Sequence, residues 1–160
     1  MKLMHILFIF FYLALLVSVL ISCCFFQKKC KYLKQLAFQD HITQGFNITA
    51  FCQEYEKKVL QSPPHTYTIV FMNMKNFKWI NEKYGSSMGD QILINLYHIL
   101  KSQIGDEEFL CRDNSDCFFL CLKEHDPHTI GQRLSSMIEH MNHYSQKTTF
   151  EYTFYLGVYL

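Results

Sequence analysis

Residues Thr68 to Asp90 read TIVFMNMKNFKWINEKYGSSMGD. Tyr67 to Met72 is a short β-branched and aromatic run without alternation, the pattern of a strand covered on both faces. Asn73 and Asn76 break that run. Phe77, Ile80 and Tyr84 then recur at helical spacing, and Gly85 followed by Ser86 and Ser87 ends the turn and caps a second helix. The predicted order of strand, loop, helix, loop, helix is that of a nucleotide-site scaffold.

Upstream of this stretch, Ile48, Phe51, Cys52, Tyr55, Val59 and Leu60 lie at helical intervals, so a helix is expected to about Gln61, where Ser62, Pro63 and Pro64 stop it. Downstream, Ile92, Leu93, Leu96, Ile99 and Leu100 mark an amphipathic helix ending near Gly105. Glu108 to Arg112 and Cys117 to Leu122 read as two strands around the polar turn Asp113 to Asp116, a hairpin signal. Asp126 and Pro127 precede a helix whose core side is Ile130, Leu134, Met137, Ile138 and Met141, and Thr149 to Leu160 reads as an aromatic strand. The fold class is α+β: an α/β sandwich with helices over a mainly antiparallel sheet.

The first 39 residues are different in kind. Leu3 to Phe26 carries no formal charge and is long enough, at about 1.5 Å per residue, to span a hydrocarbon core of about 30 Å. A secretory apolar core is shorter, about 7 to 15 residues, so a retained transmembrane helix is expected over 1–26. Lys28, Lys29, Lys31 and Lys34 follow it, against Lys2 alone before it, and the positive-inside rule puts the C-terminal domain in the cytoplasm. Residues 27–39 form a basic linker in which Tyr32, Leu33, Leu36 and Ala37 make a helical stripe. That stripe suits self-association or a short amphipathic connector. Leu20, Ile21, Ser22 and Cys23 also look like a bacterial lipobox, and the alternative is a lipoprotein beginning at Cys23, with the domain outside the cytosol. Only Met1 and Lys2 precede the apolar run, so no external sensor domain is expected.

Composition excludes other classes. A chain of 160 residues with 49% hydrophobic and 18% charged residues suits one membrane segment and one modest domain. Its net charge of +1, without a long basic face, argues against nucleic acid. The seven cysteines include no C-x-x-C pair, so reduced thiols are expected rather than a disulfide framework or a structural zinc site. Cys111 and Cys117 are placed to face each other across the hairpin. His125 and His128 lack companions for a metal set and read as solvated loop.

Asn73, Lys75, Phe77, Lys78, Asn81, Gly85, Gly89 and Asp90 keep the frame Asp-x-Asp-x-Phe-Lys-x-x-Asn, then Gly-x-x-x-Gly-Asp, with both leading acids replaced. Arg112 and Asp113 precede Asn114, Ser115, Asp116, Cys117 and Phe118, which stand where a Gly-Gly-Asp-Glu-Phe loop would. Asp40, Ile42, Thr43, Asn47 and Phe51 fit an upstream Asp-x-Leu-Thr-x-x-x-Asn-x-x-x-Phe motif, and Gly157 and Val158 a late strand. Over 40–160 the chain thus resembles the GGDEF family, diguanylate cyclase domains that join two GTP molecules into cyclic di-GMP. The resemblance implies a nucleotidyl-cyclase-like fold. The family's following Ala-Asp-x-Ala-Leu-Tyr-x-Ala-Lys helix, with its phosphate-gripping cations, is expected to be absent.

Cyclic di-GMP synthesis needs divalent metal on the triphosphate, and hard Mg²⁺ wants carboxylate oxygens. By resemblance the metal positions are Asn73, Asp116 and Cys117, so only Asp116, a vestigial catalytic residue, keeps a carboxylate. Lys75 adds positive charge, and the paired glycines that permit close approach are Asn114 and Ser115. Asn81 and Asp90 occupy the guanine-reading positions; as plain structure they would cap a turn and the helix Gln91 to Leu100. Gly105 and Glu108 replace the Arg-x-x-Asp of the inhibitory product site, so product feedback is expected to be lost. The expectation is a non-enzyme in cyclic di-GMP signalling, able to bind GTP, paired with itself or an active GGDEF protein, and needing no cofactor. The alternative is a weak diguanylate cyclase using Asp116, which would require Mg²⁺.

Overall fold

A computed structural model of the chain describes residues 2–145 and 151–160. These form two compact units that divide between Ala37 and Phe38. The first unit is one helix, α1 (Lys2–Phe38), exposed along nearly all of its described length. No Gly or Pro interrupts it, so nothing in the segment breaks the hydrogen-bond ladder. From Phe10 to Phe38 it is long and apolar enough to cross a membrane, with a mean hydropathy of 2.2 in its most apolar window.

The second unit runs in the order α2 (Ile48–Glu54), a π-helical turn (Tyr55–Val59), β1 (Thr68–Met74), α3 (Phe77–Tyr84), α4 (Ser86–Ser102), β2 (Phe109–Arg112), β3 (Cys117–Leu122), α5 (Pro127–Ser145) and β4 (Phe154–Tyr159). The four strands form one sheet in the order β2-β3-β1-β4, and every pairing is antiparallel. The fold is therefore α+β, as the order of elements predicts.

Alternation along the strands builds two cores. Val70, Met72 and Met74 of β1, Leu110 of β2 and Phe118, Leu120 and Leu122 of β3 point to one face. There they meet Phe77 and Ile80 of α3, Ile92, Leu93, Leu96 and Leu100 of α4, and Ile130, Leu134, Met137 and Met141 of α5. The helical residues are those that the three-and-four spacing selects. The opposite face holds a smaller core of Phe51, Phe109, Cys111 and Cys121, onto which Ile48, Tyr55 and Val59 fold. Phe51 lies 4.9 Å from Phe109, ring centre to ring centre.

Several sequence expectations shift. β1 is buried on one face and half-buried on the other, and it continues through Asn73, which lies within the strand. The helix expected to Gln61 widens after Glu54, with Leu60 N–H donating to Tyr55 O at 3.2 Å. That widening changes the face presented beyond it, so Val59 packs inward while Leu60 is exposed; Cys52, ahead of it in α2, is exposed as well. α4 starts at Ser86, which leaves Asp90 inside it and not at its cap, and it ends at Ser102 short of Gly105. Gly85 makes the junction at φ +86°, a left-handed conformation that side chains resist, and no Ser side chain caps the helix. Cys111 pairs with Phe119, so it does not face Cys117. Of the strand expected over 149–160, β4 covers Phe154–Tyr159, and 149–150 lie outside the described residues.

Two side chains cap helix starts. Asn47 accepts from Ala50 N–H at 3.0 Å at the start of α2. Asp126 accepts from Thr129 N–H and Oγ1 at 2.8 and 2.7 Å, directly before Pro127 of α5.

The opening turn, 39–46, is joined to the hairpin by a buried ion pair. Asp40 and Arg112 are each only 4% exposed and meet at 2.5 Å. Asp40 also accepts from Thr43 N–H and Oγ1, both at 2.8 Å, and Arg112 N–H donates to Phe46 O at 3.0 Å along the outer side of β2. Removing one member of such a pair strands a buried charge. Asp40→Ala is expected to lower unfolding stability by about 3 to 5 kcal/mol, read from the urea midpoint of the full chain in detergent. A loss within about 0.5 kcal/mol, the range of an ordinary surface substitution, would mean the pair is dispensable.

Candidate functional site

Asn73, Asp116 and Cys117, the expected metal positions, come together at the mouth of the hairpin. Asn73 of β1 stands opposite Cys117, the first residue of β3, while Asp116 closes the turn before it. The Asn73 side-chain Nδ2 donates to Asp116 Oδ2 at 2.8 Å and approaches Cys117 Sγ at 3.3 Å. A carboxylate only accepts hydrogen bonds, which fixes the amide with its nitrogen toward Asp116. The turn is closed by Asp113 N–H to Cys117 O at 3.0 Å and Cys117 N–H to Asn114 O at 2.9 Å. Arg112 braces it from below, donating through Nε and Nη2 to Ser115 O at 2.9 and 2.6 Å.

Asn114 and Ser115 form the exposed tip. Ser115, not Asn114, takes the left-handed backbone, at φ +48°, although asparagine tolerates it better. The guanidinium on its carbonyl holds it there. Phe118 is fully buried in the larger core, a packing residue. Lys75 does not enter the cluster, because its ammonium lies 4.8 Å from the Tyr155 ring centre on β4.

This cluster offers one carboxylate, one amide and one thiol. Mg²⁺ demands near-octahedral oxygen ligation, whereas here one carboxylate oxygen is already an acceptor for Asn73 and the sulfur is a soft ligand. The residues do not fit Mg²⁺. Among the described residues no group of three or more His, Cys, Asp or Glu is placed to hold a metal ion.

The second pair of expected site residues lies where α3 meets α4. Asn81 is on α3, and its side-chain Oδ1 is buried without a hydrogen-bond partner. It faces Gly89 on α4 so closely that a Cβ there would lie 1.9 Å from Oδ1. Asp90, half-buried, is the next residue. An orphaned buried acceptor costs about 1 to 3 kcal/mol, so it invites a donor from outside the chain. Among the described hydrogen bonds none links Asn81 or Asp90 to the hairpin turn.

Glu108 has become structural. It accepts from Arg133 at Oε1 and Oε2, both at 2.7 Å, and from the Lys123 and Gly105 N–H groups, both at 2.8 Å. Burial by itself raises its pKa, but the Arg133 hydrogen bonds and the two backbone donors outweigh it and hold the carboxyl below its ordinary range. Arg133 is raised in turn by the Glu108 hydrogen bond. Nothing in the sequence pairs these residues. Nor does any local pattern pair Asp40 with Arg112, which are 72 residues apart. Burial pushes the Cys111 and Cys121 thiols up to about 12, which makes them inert packing groups.

The family described as diguanylate cyclase, GGDEF domain, matches residues 37–160. The chain is 24% identical over 130 residues to the probable diguanylate cyclase DgcT of Escherichia coli strain K12, covering 79% of this chain and 28% of DgcT. It thus spans little more than a quarter of that relative. Among solved structures it is similar to the coiled coil and GGDEF domain of DgcB from Caulobacter crescentus in complex with c-di-GMP. The TM-score is 0.78 at 16% identity, over 91% of this chain and 80% of that one. It is also similar to the diguanylate cyclase SiaD in complex with its activator SiaC from Pseudomonas aeruginosa, with a TM-score of 0.64 at 19% identity over 91% of this chain and 60% of that one.

Two outcomes follow from the titrations. Because Glu108 has its pKa lowered on folding from 4.5, it stabilises the fold above that value, and the contribution is lost as pH falls through the folded pKa. Glu108→Gln is therefore expected to be less stable than the parent at neutral pH, with the gap closing in acid; a gap independent of pH would deny the carboxylate its role. At neutral pH iodoacetamide is expected to modify Cys52 and spare Cys111 and Cys121, as read by mass spectrometry of digests.

Proposed function

Since the chain belongs to the GGDEF family of cyclic di-GMP signalling, we propose that it is a membrane-anchored, non-catalytic member that binds a guanine nucleotide and regulates by contact. The observation that carries this reading is the Asn73 to Asp116 hydrogen bond at 2.8 Å. It occupies the carboxylate that a catalytic cation would need, and positions 73 and 117 beside it offer an amide and a thiol in place of a second carboxylate. Metal-assisted phosphoryl transfer depends on that cation to neutralise the triphosphate.

Guanine recognition is supported separately. The buried Asn81 Oδ1 lacks a donor, and the guanine edge carries N–H donors for an amide oxygen and for a carboxylate such as Asp90. The product-feedback position is filled by the Glu108–Arg133 pair, so the domain would not respond to cyclic di-GMP there. With no turnover, a nucleotide-loaded domain acts through another protein, either a second copy or an active GGDEF protein. SiaD, which carries the same fold, is seen in complex with a protein activator.

α1 would anchor the domain to the inner membrane by its apolar run, and Lys28, Lys29, Lys31 and Lys34 favour the cytoplasmic side for the domain C-terminal to them. No nucleic-acid role is proposed for a chain with a net charge of +1.

Calorimetric titration of the full chain in detergent with GTP and ATP, combined with an assay for cyclic di-GMP, tests the reading. GTP is expected to bind in preference to ATP without product forming. Asp90→Ala is expected to weaken GTP about tenfold or more, the size of one hydrogen bond to a charged group. Gly89→Ala, which displaces the Asn81 amide, should act in the same direction. Turnover abolished by Asp116→Ala would overturn the non-catalytic reading, and absence of GTP binding would overturn the nucleotide part.

A further inference from the structure

We infer that the Asn73 carboxamide stands in for a divalent cation, holding strand β1 to the hairpin turn without metal. Asp116 is 9% exposed and appears in no ion pair among the described residues. A carboxylate so far out of water needs a positive or hydrogen-bonding partner. Its partner is Asn73 Nδ2 at 2.8 Å, and the same nitrogen reaches Cys117 Sγ at 3.3 Å. An amide nitrogen carries two protons, which is the number these two acceptors require. One neutral side chain therefore bridges both turn residues.

The position of that nitrogen is set by the backbone. Asn73 is hydrogen-bonded into the sheet between Cys117 on β3 and Tyr155 on β4, so its side chain leaves from a fixed point. The turn below is already closed by its own backbone bonds and by the Arg112 guanidinium on Ser115 O, neither of which involves a divalent cation. What remains is to connect strand to turn, and the amide does that.

A carboxylate at position 73 would reverse the situation. Two carboxylates would face each other at the distance of the present hydrogen bond, where like charges cannot both stay ionised unless a cation or a proton lies between them. Position 73 thus decides whether this turn is held by a metal or by a hydrogen bond. In this chain its closed form is independent of divalent cation concentration. This inference does not depend on nucleotide binding or on the absence of turnover.

Thermal unfolding of the full chain in detergent, in EDTA and in millimolar Mg²⁺ or Mn²⁺, tests it directly. The parent is expected to give the same midpoint in all three. Asn73→Asp is expected to unfold at lower temperature than the parent in EDTA and to recover by about 4 °C or more when either cation is added. Asn73→Asp with Asp116→Asn should lose that recovery. If Asn73→Asp does not fold in EDTA, folding on addition of the cation gives the same support, and failure to fold with cation present overturns the idea. Asp116→Asn alone keeps an N–H to oxygen contact with Asn73, and its midpoint should ignore the cation. A saturable rise of the parent midpoint with Mg²⁺ that Asp116→Asn removes, or an Asn73→Asp midpoint equal to the parent in EDTA, would overturn the assignment. Since GTP is absent throughout, these outcomes are distinct from failure of the nucleotide reading.

Discussion

The buried pair of Asp40 and Arg112 is the constraint on which the domain's functional end depends. Both side chains are almost wholly removed from water, so each is tolerable only because the other is present and the remaining polar atoms are satisfied. Thr43 completes Asp40 from the opening turn, and Ser115 completes Arg112 from the hairpin. One guanidinium therefore ties three segments together: the opening turn, β2 and the hairpin tip. It also explains why Ser115 can hold φ +48° where a glycine would be easier. The strain of that residue is offset by two charged hydrogen bonds to its carbonyl.

Around that fixed point the domain divides its sheet unequally. Over β1, β2 and β3 the face carrying Val70, Met72, Leu120 and Leu122 is covered by three helices, and the larger core lies there. The other face is covered over β2 and β3 by α2 and the widened turn, while β4 carries exposed Tyr155, Leu156, Val158 and Tyr159 at the sheet edge. The edge at β2 is different, since Phe46 bridges to Cys111 and Arg112 there. The protected edge is thus the one beside the opening turn.

At the site, Asn73 supplies the donor that Asp116 accepts at 2.8 Å, so a neutral amide and not a like charge faces that carboxylate. Glu108 shows the same logic at a second place. Its carboxylate is enclosed by Arg133 and two backbone N–H groups and is a strut between the start of β2 and α5. The unfilled acceptor of Asn81 beside Gly89 breaks the pattern, because no group of the described chain satisfies it. Buried polar atoms are seldom left unpaired without a reason, and a ligand is such a reason.

Local patterning in the sequence was enough for the order of elements, the core faces of α4 and α5, the hairpin at 113–116 and the start of α5 after Asp126. Each of these depends on residues within one or two turns of each other. The GGDEF resemblance likewise rested on short motifs whose internal spacing is local, and the family match over residues 37–160 agrees with it. Local signals failed where geometry is set across the fold. The widening after Glu54, the start of α4 ahead of Asp90 and the half-buried second face of β1 are set by the groups packed against those elements. The sequence by itself determined that positions 73, 116 and 117 carry an amide, a carboxylate and a thiol. Only the tertiary structure decided how they meet: the pairing of β1 with β3 brings Asn73 within 2.8 Å of Asp116. A hydrogen bond between residues so distant in the chain is fixed by strand register, which no local pattern encodes.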